Sequence, residues 1–267
     1  MKTRLSKQQI SSYRDNGFLV INNWLTADEL AAWRSAFDEA VAQRTTRLPD
    51  REGPPAKAGE YYDNVFVQRV NLWRTNENIR RLLIEPRIGK LAATLEGIDG
   101  VRVWHDQALV KQPWANPTPW HLDGAYWSFH DRHAITIWIA LDDVTIQNGC
   151  LYFLPGAQKE ADFTNVSFGP NMKGMFEHFP QWATIEPAPI VMKAGSCSFH
   201  NGLTPHAAGP NMTTGHRRAL ACIFMPDGAT FNGQKNILTD EQVAALKVGD
   251  VLDDDDVNPL TFSTVHR

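Results

Sequence analysis

His121 and Asp123 stand two residues apart in the segment PWHLDGAY, residues 119–126. On a strand, residues i and i+2 share a face, so both side chains can reach one point. Imidazole and carboxylate together suit a divalent first-row metal. A second, distant histidine would complete a two-histidine, one-carboxylate set, which holds Fe(II) on one face and leaves the opposite face open for reactants. The pair alone is a weak signal, because His-x-Asp also occurs by chance on surfaces. His105, His130, His133 and His178 carry no supporting motif, whereas His200 and His206 both fall in SFHNGLTPHAAGPN, residues 198–211. Either could be the third ligand. Beyond them, His216-Arg217-Arg218 opens a new strand. An arginine there could clamp the distal carboxylate of a 2-oxoacid through its fork of donors. Neighbouring strand residues point to opposite faces, so only one of Arg217 and Arg218 can serve.

The elements that must position these groups are readable in part. Ser6 with Gln9 and Thr26 with Glu29 are capping boxes that open two helices, the first closed by Gly17 and the second running to about Gln43. Leu30, Trp33, Phe37 and Val41 recur at helical spacing and predict a core-facing stripe. Phe18 to Ile21 reads as a buried strand between the helices. Residues 48–60 are loop by composition, and Asn76 to Leu95 reads as helix interrupted at Pro86. From Val101 the pattern changes to short strands: VRVWHDQALVK, AITIWIALDDV, CLYFLP, PIVMK, SCSFH and RALACIFM. Short strands at close spacing predict a sandwich or barrel. Thr239 with Gln242 marks a last short helix, and Asp253 to Asp256 reads as a solvated acidic loop.

Four segments, in this order, carry a resemblance: ISSYRDNGFLVINNWLTADEL, PWHLDGAY, NGCLYFLPGAQK and PHAAGPNMTTGHRRAL. Together they span most of residues 8–226, and the chain resembles the phytanoyl-CoA dioxygenase family of Fe(II)/2-oxoglutarate oxygenases. The resemblance implies a mainly β fold with flanking helices: a double-stranded β-helix, or jelly-roll, cupin-like barrel, with helices drawn mostly from the N-terminal third. It implies one catalytic domain, with residues 1–100 as helix-rich support, 101–230 as jelly-roll core and 231–267 as C-terminal extension. It makes His121, Asp123 and His206 the metal ligands and Arg217 the partner of the 2-oxoglutarate C5 carboxylate. Trp138 matches an aromatic that packs against the co-substrate, and Lys111 matches a polar position that reaches it. Gln107 lies on the same face of the strand as Lys111, and Arg69 matches a basic position used for the co-substrate in some relatives. The cofactors implied are Fe(II), 2-oxoglutarate and O2, and the reaction is hydroxylation of a C–H bond in a small organic substrate, with release of succinate and CO2. Ala208 departs from the pattern, since many relatives carry serine two residues after the distal histidine. Asp123 argues against halogenation, because halogenating relatives replace that carboxylate by a small residue.

Tyr126, Trp127 and Phe129 follow the His-x-Asp pair directly and are candidates for a substrate wall, with Trp104 and Tyr61 as weaker candidates. A net charge of −4 over 267 residues gives no basic surface for nucleic acid or an anionic membrane. No segment is long and apolar enough to span a bilayer, the first ten residues lack an apolar signal core, and Val265-His266-Arg267 is no peroxisomal tripeptide. Three cysteines without a CxxC are a poor disulfide framework. Cys150, Cys197 and Cys222 therefore read as buried thiols, and a cytoplasmic setting is expected. Two rival functions remain at this stage: a non-catalytic jelly-roll module that binds metal or a small ligand, and a Zn²⁺ hydrolase using the same ligands. The first needs no oxoacid clamp, and the second lacks a glutamate base near His121.

Overall fold

The computed structural model describes residues 1–44, 46–48, 61–166 and 171–265. The sequence-predicted loop at 48–60 lies, from residue 49 on, outside the described residues.

Ser6 and Gln9 close a reciprocal capping box on α1 (Lys7–Asn16), which ends at Gly17 with φ 82°. Gly17 turns the chain directly into β1 (Phe18–Ile21). Thr26 and Glu29 form the second box, opening α2 (Ala27–Ala42), whose Trp33 and Phe37 are buried. A short strand, β2 (Val67–Val70), precedes α3 (Glu77–Leu83) and α4 (Pro86–Glu96). Pro86 sits at the start of α4, where its missing N–H costs no helical bond. The interruption expected at Pro86 divides the segment into these two helices.

The remaining strands are β3 (Gly100–Lys111), β4 (Thr118–His121), β5 (Ile135–Ala140), β6 (Leu151–Phe153), β7 (Ala188–Ile190), β8 (Cys197–Asn201), β9 (His206–Ala208), β10 (Arg217–Pro226) and β11 (Leu260–Ser263). Two short helices, α5 (Gly174–His178) and α6 (Asp240–Ala245), lie between them. The larger sheet runs β1-β8-β5-β10-β3-β11, with β2 also on β3, and the smaller runs β4-β9-β6-β7. All pairings are antiparallel. The two sheets form the jelly roll. β1, β2 and β11 come from outside residues 101–230 yet complete the larger sheet.

Alternation along the strands sorts side chains into two cores. On β10, Leu220, Cys222 and Phe224 pack with Trp33, Phe37, Ile88 and Leu91 of α2 and α4. Arg217, Ala219, Ala221 and Ile223 point the other way, and three of them line the barrel cavity. The small side chains of Ala207, Ala208 and Ala221 leave the interior open there. The cysteines Cys150, Cys197 and Cys222 are buried and unpaired. Among the described residues no helix is long and apolar enough to cross a membrane. Asp253 to Asp256 are exposed, and Asp255 also binds Arg102.

Candidate metal centre and co-substrate cavity

His121 ends β4 and His206 opens β9, and the two face each other in register across the smaller sheet. β4 is the edge strand of that sheet, which is why Pro119 is tolerated in it. The chain then turns, with Tyr126 N–H donating to the Asp123 carbonyl and Gly124 N–H donating to Gly202 O at 2.9 Å. That turn carries Asp123 under both imidazoles. His121 Nε2 stands 3.5 Å and His206 Nε2 3.8 Å from Asp123 Oδ1. The donor atoms of these three residues all lie within 4.8 Å of one another, and among the described residues no other cluster of such groups could hold an ion.

Both histidines are oriented in the same way. His121 Nδ1 is 2.8 Å from Pro119 O, and His206 Nδ1 is 3.0 Å from Thr204 O. A carbonyl two residues upstream accepts a proton from Nδ1, so Nε2 carries the lone pair that faces Asp123. Burial raises the Asp123 pKa, but His206, His121 and His200 outweigh it and hold the carboxyl well below its ordinary value. Burial, reinforced by His121, keeps His206 well below its ordinary value against the pull of Asp123. Asp123 is thus held ionised and His206 neutral, the protonation a metal requires of these two ligands.

The same cavity, about 360 Å³, contains a second feature at its other end. Arg217 and Lys111 are opposite one another on β10 and β3. Arg217 is buried, its guanidinium lies 5.0 Å from the Trp138 ring centre, and one terminal nitrogen donates to Gly149 O at 2.9 Å. Its Nε is buried without a hydrogen-bond partner among the described residues. Lys111 is fully buried, with Nζ donating to Asn116 O at 2.8 Å. Burial, then the nearby Arg217, pulls Lys111 from 10.5 to about 7. Burial pulls Arg217 down to about 10. Among the described residues no carboxylate pairs with either group. Two buried cations with an orphaned donor form a receptor for an anion, and a dicarboxylate reaching from them toward Asp123 fits that donor set. Gly149 makes the pairing possible: its φ is +87°, and a Cβ there would stand 2.7 Å from the Lys111 chain and 2.6 Å from Gly209 O.

Of the other candidate residues, Trp138, Gln107, Tyr126 and Trp127 line the cavity. Gln107 accepts a hydrogen bond from Gln68, and the Tyr126 hydroxyl donates to Val166 O, so Tyr126 offers its ring rather than its hydroxyl. Four candidates are not brought to the cavity. Trp104 and Phe129 are fully buried and meet edge-to-face at 5.4 Å, in a core behind the wall. The register of β3 against β10 slips at Trp104, so the alternation that carries Gln107 and Lys111 to the cavity does not extend to it, and it packs with Ile223 and Trp127 just behind the wall. Arg69 donates to Arg44 O and Gln68 O, which ties down the chain near β2. Tyr61 donates to Pro117 O at 2.9 Å. Arg218, the rival of Arg217, points outward to Asp142 and Asp38. Polar lining residues outside the sequence candidates include Thr118, Thr136, His105 and Asn236. Thr118 pairs with Ala208 across β4 and β9, so a hydroxyl faces the position where the expected serine is missing. His105 has the parity of Gln107 and Lys111 and was findable by that alternation. Asn236 arrives from the C-terminal extension, held by a hydrogen bond from Trp104 Nε1 at 3.2 Å, and had no sequence signal.

The sequence profile of the phytanoyl-CoA dioxygenase family (PhyH) matches residues 13–219. The chain belongs to this family. The peroxisomal phytanoyl-CoA dioxygenase of Rattus norvegicus is 27% identical over 235 residues, covering 82% of this chain and 68% of that one. The methylphosphonate hydroxylase of Gimesia maris is 25% identical over 231 residues, covering 82% and 80%. Among solved structures, the non-haem, α-ketoglutarate-dependent carbocyclase SnoK from nogalamycin biosynthesis superposes with a TM-score of 0.79 at 26% identity, over 97% of both chains. This member of the phytanoyl-CoA dioxygenase family is thus a non-haem iron, 2-oxoglutarate-dependent oxygenase with a jelly-roll fold.

Proposed function

We propose that His121, Asp123 and His206 hold Fe(II), that Arg217 and Lys111 receive the distal carboxylate of 2-oxoglutarate, and that Trp138 packs beside it. The observation that carries this reading is one cavity with a three-residue donor set at one end and an unneutralised buried cation pair at the other. When bound, iron with 2-oxoglutarate and O2 supplies the oxidising chemistry, hydroxylating a C–H bond and releasing succinate and CO2. The chain's own work is positional. Pro119 O and Thr204 O fix the imidazoles, Gly149 O and Trp138 fix the guanidinium, and the aromatic wall excludes water. No protein acid or base is needed. Asp123 is the one carboxylate among the described residues lining the cavity, which disfavours a metal hydrolase.

The substrate proposed is a small organic molecule. It would lie against Tyr126, Trp127 and Ile237, within reach of His105 and Asn236. Burial holds His105 near a pKa of about 4, so it meets the substrate as a neutral imidazole. Arg47 is the one cation lining the cavity outside the co-substrate end, among the described residues. That favours a compact substrate over a CoA thioester, whose phosphates call for a cluster. One oxygenase domain in a reducing, cytoplasmic setting completes the proposal, and the three buried free thiols suit it.

The test is Fe(II) titration of the metal-free protein under nitrogen. His121→Ala and Asp123→Ala are expected to abolish tight binding. Undiminished binding in both variants would overturn the ligand assignment.

A further inference from the structure

His200 lies on β8, in the larger sheet, across the cavity from the strands that carry His121 and His206. It is 2% exposed, and both ring nitrogens lack a hydrogen-bond partner among the described residues. A buried imidazole with two unsatisfied nitrogens is costly, and such a group calls for a role. The ring is held by Phe153 and His206, at centroid distances of 5.1 and 4.7 Å. β8 is paired on both sides, by β1 and β5, so the residue cannot swing away.

The Asp123 carboxylate is divided between its neighbours. Oδ1 faces His121 and His206, at 3.5 and 3.8 Å. Oδ2 faces His200 Nε2 at 3.5 Å. His200 is therefore aimed at the oxygen turned away from the other two imidazoles and is not part of the compact donor set. The 3.5 Å gap needs only a small shift to reach hydrogen-bond length, as is common for polar contacts in ligand-free sites. Thr136 stands opposite His200 in register, and its buried hydroxyl likewise has no partner among the described residues.

Resting on the ligand assignment above, we propose that His200 is a positioning residue. Its Nε2–H donates to Asp123 Oδ2 and holds Asp123 as a one-oxygen ligand, presenting Oδ1 alone to the metal. A carboxylate left without that donor can turn and use both oxygens, which would occupy a position the reaction needs. Groups that orient a metal ligand in this way contribute about 10- to 100-fold in metal affinity.

The experiment compares wild type, His200→Met, which lacks the donor, and His200→Gln, which keeps an N–H donor. Fe(II) affinity is titrated under nitrogen, and coordinated imidazoles are counted by pulsed EPR on the Fe(II)–nitric oxide adduct. His200→Met is expected to bind Fe(II) about 10- to 100-fold more weakly, His200→Gln to recover most of the loss, and both to keep the wild-type imidazole count. Wild-type affinity in His200→Met, or loss of one coordinated imidazole, overturns the proposal. A measurement on the wild type alone guards against a variant that fails to fold. The metal-induced infrared difference spectrum should show the wide carboxylate stretch splitting of one-oxygen coordination, and a narrow, two-oxygen splitting refutes the idea. His121→Ala, titrated in parallel, separates the two claims. If it retains Fe(II), the ligand assignment fails; if it loses Fe(II) while His200→Met does not, only the positioning role fails.

Discussion

Replacing Lys111 by Met removes a buried ammonium and keeps an unbranched side chain of similar reach. The amine is fully buried opposite Arg217, and burial, then that like charge, brings its pKa from 10.5 to about 7. At about 1.4 kcal/mol per pH unit, this costs the folded protein on the order of 4 kcal/mol at pH 7. The unfolded chain binds the extra proton between those two values, so the cost is complete below pH 7 and fades as pH rises toward 10.5. Met removes the cost but orphans the carbonyls of Asn116 and Val65, which accept from Nζ at 2.8 and 3.4 Å. At about 1 kcal/mol for each lost bond, the net gain is about 2 kcal/mol. For a chain of this size that corresponds to a rise of roughly 4–8 °C in Tm of the ligand-free protein. The same substitution removes a charge-assisted bond to the co-substrate, about 1.5–3 kcal/mol, and weakens 2-oxoglutarate about 10- to 150-fold. Calorimetric melting without ligands, with anaerobic titration of 2-oxoglutarate into the Fe(II) form, reads both effects. A variant that is more stable and binds more weakly is the expected result. A variant that melts earlier and binds 2-oxoglutarate normally would make Lys111 a structural prop and refute the reasoning.

Three further outcomes are expected. Arg217→Gln should raise the 2-oxoglutarate Kd at least about tenfold, whereas Arg218→Gln should leave it near wild type, because Arg218 engages Asp38 and Asp142; the reverse order in titration would move the clamp by one residue. Gly149→Ala should destabilise the fold by about 1–3 kcal/mol and weaken 2-oxoglutarate, since its Cβ would meet the Lys111 chain at 2.7 Å; calorimetry showing neither change would separate Gly149 from the cation pair. 2-Oxoglutarate affinity should fall as pH rises above 7, by up to about tenfold per pH unit, because Lys111 must take up a proton to meet the anion, and Lys111→Met should flatten the profile; affinity that rises with pH would contradict the assignment.

The local chemistry of this fold was legible where one residue type forces one geometry. The capping boxes at Ser6–Gln9, Thr26–Glu29 and Thr239–Gln242 open helices as their side chains demand. The alternation of β3 correctly put Gln107 and Lys111 on one face. Strands at His121 and His206 are implied by the ligand reading, but the extents of β4 and β9 were not legible, because three or four residues cannot display a period and Pro119 argues against a strand; Asp123 lies beyond β4, in the turn that follows it. Sheet partners were equally hidden: nothing local says that β10 sits between β5 and β3, yet that order places Arg217 between Trp138 and Lys111. Trp104 and Phe129 are aromatic candidates whose core packing was not legible: a slip in register on β3 and contact with each other hold both just behind the cavity wall. Asn236 lies more than a hundred residues from Asp123, and only the folded extension brings it to the cavity.

The most direct test of the central claim is anaerobic titration of metal-free protein with Fe(II) and then 2-oxoglutarate, followed by visible absorbance. A weak charge-transfer band that needs both components is predicted, because it requires the keto acid on iron held by His121, Asp123 and His206. Fe(II) that binds while no band forms at any 2-oxoglutarate concentration would contradict the account: the cavity would then hold metal without seating the co-substrate against it.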